Sequence, residues 1–443
     1  MNVYATAVEQ YKTLVLEAER ALFQTPATGF RETAATAYLS ARFETLGYQL
    51  VYPENCTGFC TVLDTGKPGP EVLVLAELDA LFCPSHEGAD PETGAAHACG
   101  HHAQCAALLG LAAALKEPSV QEKLCGKVRF CAVPAEEFLE MQYRQKLRND
   151  GLISCLSGKQ EFLARGYFDT VDLAILVHTG HAFCAERGSI GFVSKRVVYQ
   201  GVAAHAGGSP HLGKNALYAA NCGLNAVNAL RETFRERDLI RWHPILTSGG
   251  TAVNTIPETA VIESQLRGVS FDAIERENEK INRALCGAAV SFGTQIRIID
   301  EPGYAPFEND KELLSVAKDA LKIVRPNEPF EFYDGYAAGS TDMGDLACVM
   351  PVMTAYCGGA SGHAHAPDYK IVDPELACVE NAKWQLQMLA ILLENGGEKA
   401  KQIAQNYQPI YPDKQAYLGA LNRRRKDQTP VQYGENGRME IKI

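Results

Sequence analysis

The sequence predicts an α/β protein with a central, mixed but largely parallel sheet and a smaller inserted α+β unit. In the N-terminal part of the chain, short apolar runs alternate with helical patterns, which is typical of a parallel sheet covered by helices. Over residues 191–301 the patterns instead follow the order β-α-β-β-α-β, that of the split βαβ sandwich. The length of 443 residues is sufficient for two or three compact units.

Apolar periodicity predicts the individual elements in chain order. Residues 5–22 and 33–46 carry apolar side chains at helical spacing, and Pro26 and Gly29 separate the two patterns. For the larger unit, we expect strands over 59–64, 72–78, 127–133, 171–177 and 348–356, and helices over 103–116, 311–323 and 374–394. For the inserted unit, we expect strands over 192–200, 241–247, 259–267 and 295–300, and helices over 213–232 and 271–286. The last part of the chain, rich in Tyr and Pro, reads as a surface-wrapping tail.

Composition excludes several classes of partner. Lys and Arg total 42 against 53 Asp and Glu, a net charge of −11, whereas a nucleic-acid-binding protein carries a basic face. No run of about 18 apolar residues is present, and the N-terminus has neither a basic nor an apolar leader region. We therefore expect a soluble, cytoplasmic protein that binds neither nucleic acid nor membrane.

The 14 cysteines are too sparse, and too irregularly spaced, for a disulfide framework, and no C-x-x-C motif occurs. Cys131, Cys222, Cys286 and Cys348 fit the pattern of small buried hydrophobic residues in a reducing compartment. We expect Cys99 alone to take part in chemistry.

Cys99 belongs to the segment His97-Ala98-Cys99-Gly100-His101-His102, which directly precedes a predicted helix. In extended backbone, residues two apart project to the same side, so Cys99 and His101 can bind one metal ion. A single histidine is more often a hydrogen-bonded loop residue, but three imidazoles and a thiol within six residues favour a metal site.

Polar residues also follow three predicted sheet strands. Asp79 follows the strand 72–78, Glu136 and Glu137 follow 127–133, and His178 follows 171–177. Open α/β sheets bind their ligands at the carboxyl ends of the strands. Of two adjacent carboxylates, one can bind a metal while the other acts as a general base. A Glu-Glu pair alone is usually a solvated turn, and it is the recurrence at three strand ends that indicates a site.

The sequence resembles the dinuclear-metal peptidase and amidohydrolase family of aminoacylase and glutamate carboxypeptidase. It looks closest to the indoleacetyl-amino-acid hydrolase and aminobenzoyl-glutamate hydrolase branch. The motifs that carry the resemblance occur in the family's order over nearly the whole chain: Glu77-Leu78-Asp79-Ala80-Leu81, His97 to His102, Pro134 to Glu137, His178, Gly201 to His205, Asn254-Thr255-Ile256-Pro257, Arg267, Gly339 to Asp342, and His365.

The resemblance implies a zinc-peptidase-like catalytic domain, formed by residues 1–190 and 302–443 with the tail, and a lid and dimerisation domain over 191–301. It also implies two divalent metal ions, Zn²⁺ or Mn²⁺, and a homodimer formed through the lid. The implied metal ligands are Cys99, His101, Glu137, His178 and His365. Glu136 is the implied general base, with Asp79 and the oxyanion-binding His205 as further catalytic residues. The implied substrate-binding residues are Asn254, Arg267, Gly339 and Ser340.

The sequence departs from the family pattern at three places. His102 stands where the family has Asp or Asn, and it can add a ligand, alter metal preference or substitute near the site. The segment 138–168 is longer than the family's connection and can form part of the substrate pocket. His363 competes with His365 as the late histidine, although Ala366 and Pro367 after His365 fit the family better.

The function implied is hydrolysis of the amide bond in N-acyl or N-aroyl amino acids, such as aminobenzoyl-glutamate-like conjugates. A dipeptidase or carboxypeptidase acting on short peptides is the alternative within the same class. A catalytically silent ligand-binding paralogue and a thiol hydrolase using Cys99 with His101 are alternatives of other classes.

Overall fold

The computed structural model describes residues 2–434 and 438–442. Two compact units are present. Unit 1 runs from the start of the described chain to Gly188 and includes Glu308–Tyr336 and Asp345–Lys414. Unit 2 comprises Ser189–Phe307, Ala337–Gly344 and the described residues from Gln415 onwards.

The strands are β1 Phe59–Asp64, β2 Glu71–Glu77, β3 Leu81–Phe82, β4 Ala95–Ala96, β5 Lys127–Val133, β6 Leu173–Thr179, β7 Cys184–Ser189, β8 Gly191–Gln200, β9 Arg241–Ser248, β10 Thr259–Gly268, β11 Gln295–Pro302, β12 Phe307–Glu308, β13 Glu331–Ala337, β14 Val352–Cys357, β15 Ala360–Ser361, β16 Lys370–Ile371, β17 Lys426–Tyr433 and β18 Met439–Ile441. The α-helices are α1 Val3–Glu9, α2 Lys12–Phe23, α3 Thr33–Thr45, α4 His101–Ala114, α5 Pro118–Gln121, α6 Met141–Asn149, α7 Gly158–Ala164, α8 Ala216–Leu230, α9 Phe271–Phe292, α10 Lys311–Val324, α11 Met343–Ala347, α12 Asn381–Leu393, α13 Glu398–Asn406 and α14 Lys414–Arg424. A π-helix, Glu375–Glu380, leads into α12. No helix among the described residues is long and apolar enough to cross a lipid bilayer.

The sheet of unit 1 confirms the predicted mixed, largely parallel architecture. Its strand order is β1-β5-β2-β6-β14-β7-β12, and β13 pairs with β7. The four central strands β5, β2, β6 and β14 are parallel to one another, whereas β1 is antiparallel to β5. Every residue of β2 is buried, as is every residue of α4, because parallel sheets are covered by helices on their faces.

This topology gathers the polar residues that the sequence singled out. The parallel strands β2, β5 and β6 run in the same direction, so that Asp79 after β2, Glu136 after β5 and His178 near the end of β6 lie at the same edge of the sheet. Helix α4 begins at His101, directly after Cys99 and Gly100. The carboxyl edge of the sheet is where α/β proteins bind their ligands.

Unit 2 contains the predicted β-α-β-β-α-β sequence in β8, α8, β9, β10, α9 and β11. Its antiparallel sheet has the order β18-β17-β11-β8-β10-β9. Helix α9 begins after Ser270, whose hydroxyl accepts the amide N–H of Ala273 at 3.2 Å. It ends before Gly293, whose φ of 63° suits a glycine at a helix C-terminus. The helix therefore continues beyond the predicted end at residue 286.

The C-terminal part of the chain corrects the expectation of a surface-wrapping tail. Strand β17 pairs with β11 and extends the sheet of unit 2, and Val431 is fully buried in the core of that unit. The predicted domains are 1–190 together with 302–443, and 191–301. The two units differ from them at the C-terminus, since residues after 414 fold with unit 2. Charged residues and Pro430 within β17 hide its strand pattern, and pairing with β11 supplies the missing stabilisation.

A disulfide joins Cys60 and Cys131, whose Cα atoms lie 4.4 Å apart. The two residues stand directly opposite each other in the antiparallel pair β1 and β5. The interpretation of Cys131 as an inert free thiol is therefore wrong, because strand register rather than sequence spacing brings it to its partner. Cys222, Cys286 and Cys348 are reduced cysteines.

Candidate metal centre

Cys99 is held at the edge of the sheet by the turn that starts α4. Gly100 has a φ of 96°, and a Cβ at this position would meet the Tyr369 hydroxyl and, at 3.1 Å, the Cβ of Thr179. Tyr369 donates a hydrogen bond to the carbonyl oxygen of Cys99 at 3.0 Å. Glycine is therefore required at position 100. The Sγ atom of Cys99 lies 3.5 Å from Nε2 of His178.

His101 and His178 present the same ring nitrogen to the cluster. Nδ1 of His101 lies 2.8 Å from the carbonyl oxygen of Asp79, and Nδ1 of His178 lies 2.8 Å from that of Thr179. Because a carbonyl can only accept, Nδ1 carries a proton in both rings, and Nε2 is the nitrogen that faces the cluster. Metal-binding histidines are commonly oriented by such a bond.

Glu137 is placed by its own backbone. Its amide N–H donates to Oδ2 of Asp79 at 2.8 Å, and its carboxylate Oε1 lies 3.1 Å from Nε2 of His365. His365 has a φ of 66°, and its amide N–H donates to the carbonyl of Ala98 at 2.8 Å. His363 instead is exposed and pairs with Asp368 at 2.9 Å.

Within unit 1, the described side chains form three groups in which the possible ligand atoms lie within 4.8 Å of one another: Cys99 with His101 and His178, Cys99 with Glu137 and His365, and His101 with Glu136 and Glu137. The structure thus brings together the five predicted ligands and the predicted general base. Cys99, His101 and Glu137 each belong to two of these groups and so connect them into one cluster. Thiolate, imidazole and carboxylate are the ligand types of zinc and related transition metals.

The electrostatics of the cluster favour a thiolate. Burial raises the pKa of the Cys99 thiol, but the His178 and His101 imidazoles more than offset this effect and bring that pKa to about 6. Burial lowers the pKa of His178, but the neighbouring Cys99 outweighs it, so that the net shift of this pKa is upward. A deprotonated thiol is the form that binds metals.

The residues fit a divalent cation. Among the residues that the structure describes, Nε2 of His101 is buried without a hydrogen-bond partner, and Oε1 of Glu137 faces His365 without hydrogen-bond geometry. Buried polar atoms normally have a partner. Here these atoms belong to the ligand groups, where a cation would satisfy them.

Sequence reasoning missed a buried ion pair beneath this cluster. Lys159 Nζ donates to Glu77 Oε1 at 2.5 Å, and both side chains are almost completely buried. The other carboxylate oxygen of Glu77 lies 3.4 Å from Nε2 of His101. The available signal was the charge of Glu77 directly after the apolar run 72–76, since a buried carboxylate requires a partner.

His102 lies outside the three ligand groups. Its Nε2 is 3.4 Å from Oε1 of Glu19, and its ring packs against Phe23 and His97 at centroid distances of 5.2 and 4.9 Å. The structure therefore does not support the role of an additional metal ligand for His102.

The predicted substrate-binding residues and His205 belong to unit 2. Within that unit, Nη1 of Arg267 donates to Oγ of Ser340 at 2.9 Å, and Gly339 precedes this serine. His205 is exposed, and its Nδ1 accepts the amide N–H of Gly208 at 2.8 Å, which leaves the proton on Nε2. The carbonyl of Asn254 accepts the amide N–H of Ala206, so Asn254 lies beside the His205 loop.

Comparison with known proteins identifies the family. Residues 73–385 match the family described as Peptidase family M20/M25/M40. The indole-3-acetyl-aspartic acid hydrolase of Enterobacter agglomerans is 30% identical over 258 residues, which cover 55% of this chain and 54% of that protein. One of the two p-aminobenzoyl-glutamate hydrolase subunits of Escherichia coli K12 is 28% identical over 250 residues, which cover 54% of each chain. The match spans about half the length of these curated relatives.

Solved structures show the same fold. A dinuclear metal-binding peptidase of the M20 family from Bacillus subtilis superposes with a TM-score of 0.67 at 20% identity, over 87% of this chain and 99% of that chain. From the family match over most of its length, the chain belongs to the peptidase family M20/M25/M40.

Proposed function

We propose that this protein is a metal-dependent amidohydrolase that cleaves the amide bond of N-acyl or N-aroyl amino acids. One observation carries the proposal: the carboxylate of Glu136 lies within 4.8 Å of ligand atoms of both His101 and Glu137. A ligand cluster with an adjacent carboxylate is the arrangement that hydrolysis by an activated water requires.

Cys99, His101, Glu137, His178 and His365 would hold two divalent ions, Zn²⁺ or Mn²⁺. When bound, such ions act as Lewis acids that acidify water and polarise a carbonyl group.

The side chains of the protein then supply the proton transfers. Glu136 accepts a proton from the attacking water and returns it to the nitrogen of the leaving amino acid. Asp79 holds the backbone of Glu137 and the ring of His101, so it orients two ligands at once.

We assign the remaining roles to unit 2. His205, with its proton on Nε2, is a suitable hydrogen-bond donor to the oxyanion, and in a homodimer it would serve the partner's site. Arg267, held by Ser340 beside Gly339, would bind the substrate carboxylate together with Asn254.

The names of the relatives support the substrate class. Both the indole-3-acetyl-aspartic acid and the p-aminobenzoyl-glutamate hydrolases are named for conjugates of an aromatic acyl group with an acidic amino acid. We propose that the substrate here is likewise an acyl or aroyl amino acid, processed in the cytoplasm.

A combined metal and substrate experiment tests the proposal. The purified protein is analysed for metal, treated with a chelator, and screened against N-acetyl, N-benzoyl, N-aminobenzoyl and indoleacetyl amino acids and free-amine dipeptides. We expect activity on an acylated amino acid that the chelator removes and Zn²⁺ or Mn²⁺ restores. A higher kcat/KM for dipeptides would instead establish the dipeptidase alternative, and chelator resistance with iodoacetamide sensitivity would establish a Cys99 hydrolase.

The Glu136→Gln variant separates an enzyme from a silent binding paralogue. We expect turnover to fall by about 10²–10⁴-fold while bound metal is retained, since the amide cannot accept a proton. Glu54→Gln, which changes an exposed carboxylate of the same unit, serves as the matched control. Full turnover in Glu136→Gln would refute the assignment of the base.

A further inference from the structure

The segment 138–168 sends an arginine into the interior of unit 1. Arg144 lies on α6, and only 1% of its surface is exposed. The other polar residues of this helix are partly or fully exposed, so burial of Arg144 is specific to its position. A buried guanidinium is stable only where its N–H groups have acceptors.

The acceptors of Arg144 are backbone carbonyl groups on both sides of Glu136. Nη1 donates to the carbonyl oxygen of Ala135 at 3.2 Å and to that of Leu156 at 2.7 Å. Nη2 donates to the carbonyl oxygen of Glu137. One planar side chain therefore binds the residue before and the residue after the proposed general base.

Buried carboxylates hold the amide groups of the same two residues. The N–H of Ala135 donates to Oε1 of Glu32 at 2.9 Å, and the N–H of Glu137 donates to Oδ2 of Asp79 at 2.8 Å. Glu32 is fully buried, and its second oxygen accepts the hydroxyl of Thr57 at 2.5 Å. All four backbone polar groups that flank Glu136 are thus bound by buried charged side chains.

The backbone between these contacts has an unusual conformation. Ala135 has a φ of 58°, in the left-handed region that residues with a Cβ seldom adopt. Such a conformation persists when the surrounding contacts impose it. Gly29 leaves space for Arg144 and Ala135, because a Cβ at position 29 would meet Nη2 of Arg144 and, at 2.8 Å, the Cα of Ala135.

We infer that Arg144 is a positioning residue that, by binding the carbonyl groups of Ala135 and Glu137, orients both the base Glu136 and the metal ligand Glu137. The inference rests on the proposed function for the role of Glu136, but not for the placement of Glu137. A merely structural Arg144, attaching α6 to the domain, would affect unfolding without changing the metal site.

Binding of Co²⁺ to the metal-free protein tests the inference without any substrate. We would compare the Co²⁺ dissociation constant and the visible absorption spectrum of the wild type, Arg144→Met and Arg144→Lys. The matched control is Lys146→Met on the same helix, where the Lys146 side chain is 72% exposed. Loss of an interaction that orients a ligand typically weakens metal affinity about 10–100-fold. We expect such a loss and an altered spectrum in Arg144→Met, a smaller change in Arg144→Lys, and none in the control.

Gly29→Ala provides a second, independent perturbation, because the added Cβ displaces the guanidinium without removing it. We expect weaker Co²⁺ binding here also, together with a lower kcat and a KM within about threefold of wild type for any substrate found. If Arg144→Met does not fold, Arg144→Lys and Gly29→Ala decide the question. Wild-type Co²⁺ affinity and spectrum in the folded variants would overturn the inference.

The two proposals fail in different ways. If no acylated amino acid is hydrolysed but the variants still alter Co²⁺ binding, the proposed substrate class is wrong and the positioning role of Arg144 stands. If hydrolysis is found and the variants leave both Co²⁺ binding and kcat unchanged, the proposed substrate class stands and the positioning role of Arg144 is wrong.

Discussion

Nδ1 of His101 lies 2.8 Å from the main-chain carbonyl of Asp79, while the carboxylate of Asp79 accepts the amide N–H of Glu137 at 2.8 Å. A single residue just after β2 thereby contacts both one imidazole and the backbone of one carboxylate residue of the cluster. Asp79 does so without being a member of the three ligand groups. We therefore expect metal affinity to depend on a residue that need not touch the metal.

Replacement of Asp79 by Ala is expected to weaken metal binding by about 10–100-fold, because the Glu137 loop loses its acceptor. The N–H of Glu137 is left buried and unpaired, at a cost of about 1–3 kcal/mol in folding free energy. Asp79→Asn retains an oxygen acceptor and should show an intermediate effect. Competition against a chelating dye measures the affinity, with the exposed Asp150→Ala as control. Equal affinity in wild type and Asp79→Ala would show that this hydrogen bond does not orient Glu137.

The two late histidines are expected to differ sharply when each is replaced by Ala. His365 lies 3.1 Å from Glu137, whereas the His363 side chain is 87% exposed and bound to Asp368. We predict that His365→Ala loses part of the bound metal and most activity, and that His363→Ala retains both. Metal content by elemental analysis after gel filtration is the measurement. The opposite pattern would assign the ligand to His363.

The ion pair of Lys159 with Glu77 is expected to be sensitive to removal of one partner. Because Lys159→Met leaves a buried carboxylate without its cation, we expect a loss of about 3–5 kcal/mol in the free energy of unfolding of the metal-free protein. Lys127→Met, which removes an exposed ion pair with Asp64, should change it by only about 0–1 kcal/mol. Urea denaturation with a chelator present provides both values, and similar losses in the two variants would contradict the prediction.

The same pair has a defined pH dependence. Burial raises the pKa of Glu77, but Lys159 and the nearby imidazoles outweigh it and lower that pKa to about 2, from the ordinary 4.5. A lowered carboxyl pKa contributes stability above pH 4.5 that is lost as the pH falls towards 2. The stability difference between wild type and Lys159→Met should therefore shrink over that interval, and a constant difference would argue against the charged pair.

The disulfide between Cys60 and Cys131 predicts a definite thiol count. Titration of the denatured, unreduced protein should give 12 thiols, those of the free cysteines, and all 14 cysteines should react after reduction. Because the bond closes a loop with a sequence separation of 71 residues, its removal in Cys60→Ala should cost about 2–5 kcal/mol of stability. Cys222→Ala changes a free cysteine and is the control; 14 thiols before reduction would show that the bond is not formed.

The sequence by itself determined the elements and their order. Periodicity of apolar residues is a local property, and it predicted β1 and β5 at their observed bounds and the β-α-β-β-α-β order of unit 2. Spacing within a short segment likewise predicted that Cys99 and His101 share a site, because local backbone geometry places both side chains.

Only the tertiary structure decided which distant side chains meet. The contacts of Asp79 with the Glu137 backbone and of Lys159 with Glu77, like the disulfide of Cys131, join segments whose register is set by packing of the whole unit. Strand β17, too weak in pattern to be predicted, forms because β11 offers a free edge. A buried charge or a weak strand is stable only with its partner, and the identity of that partner is a property of the fold.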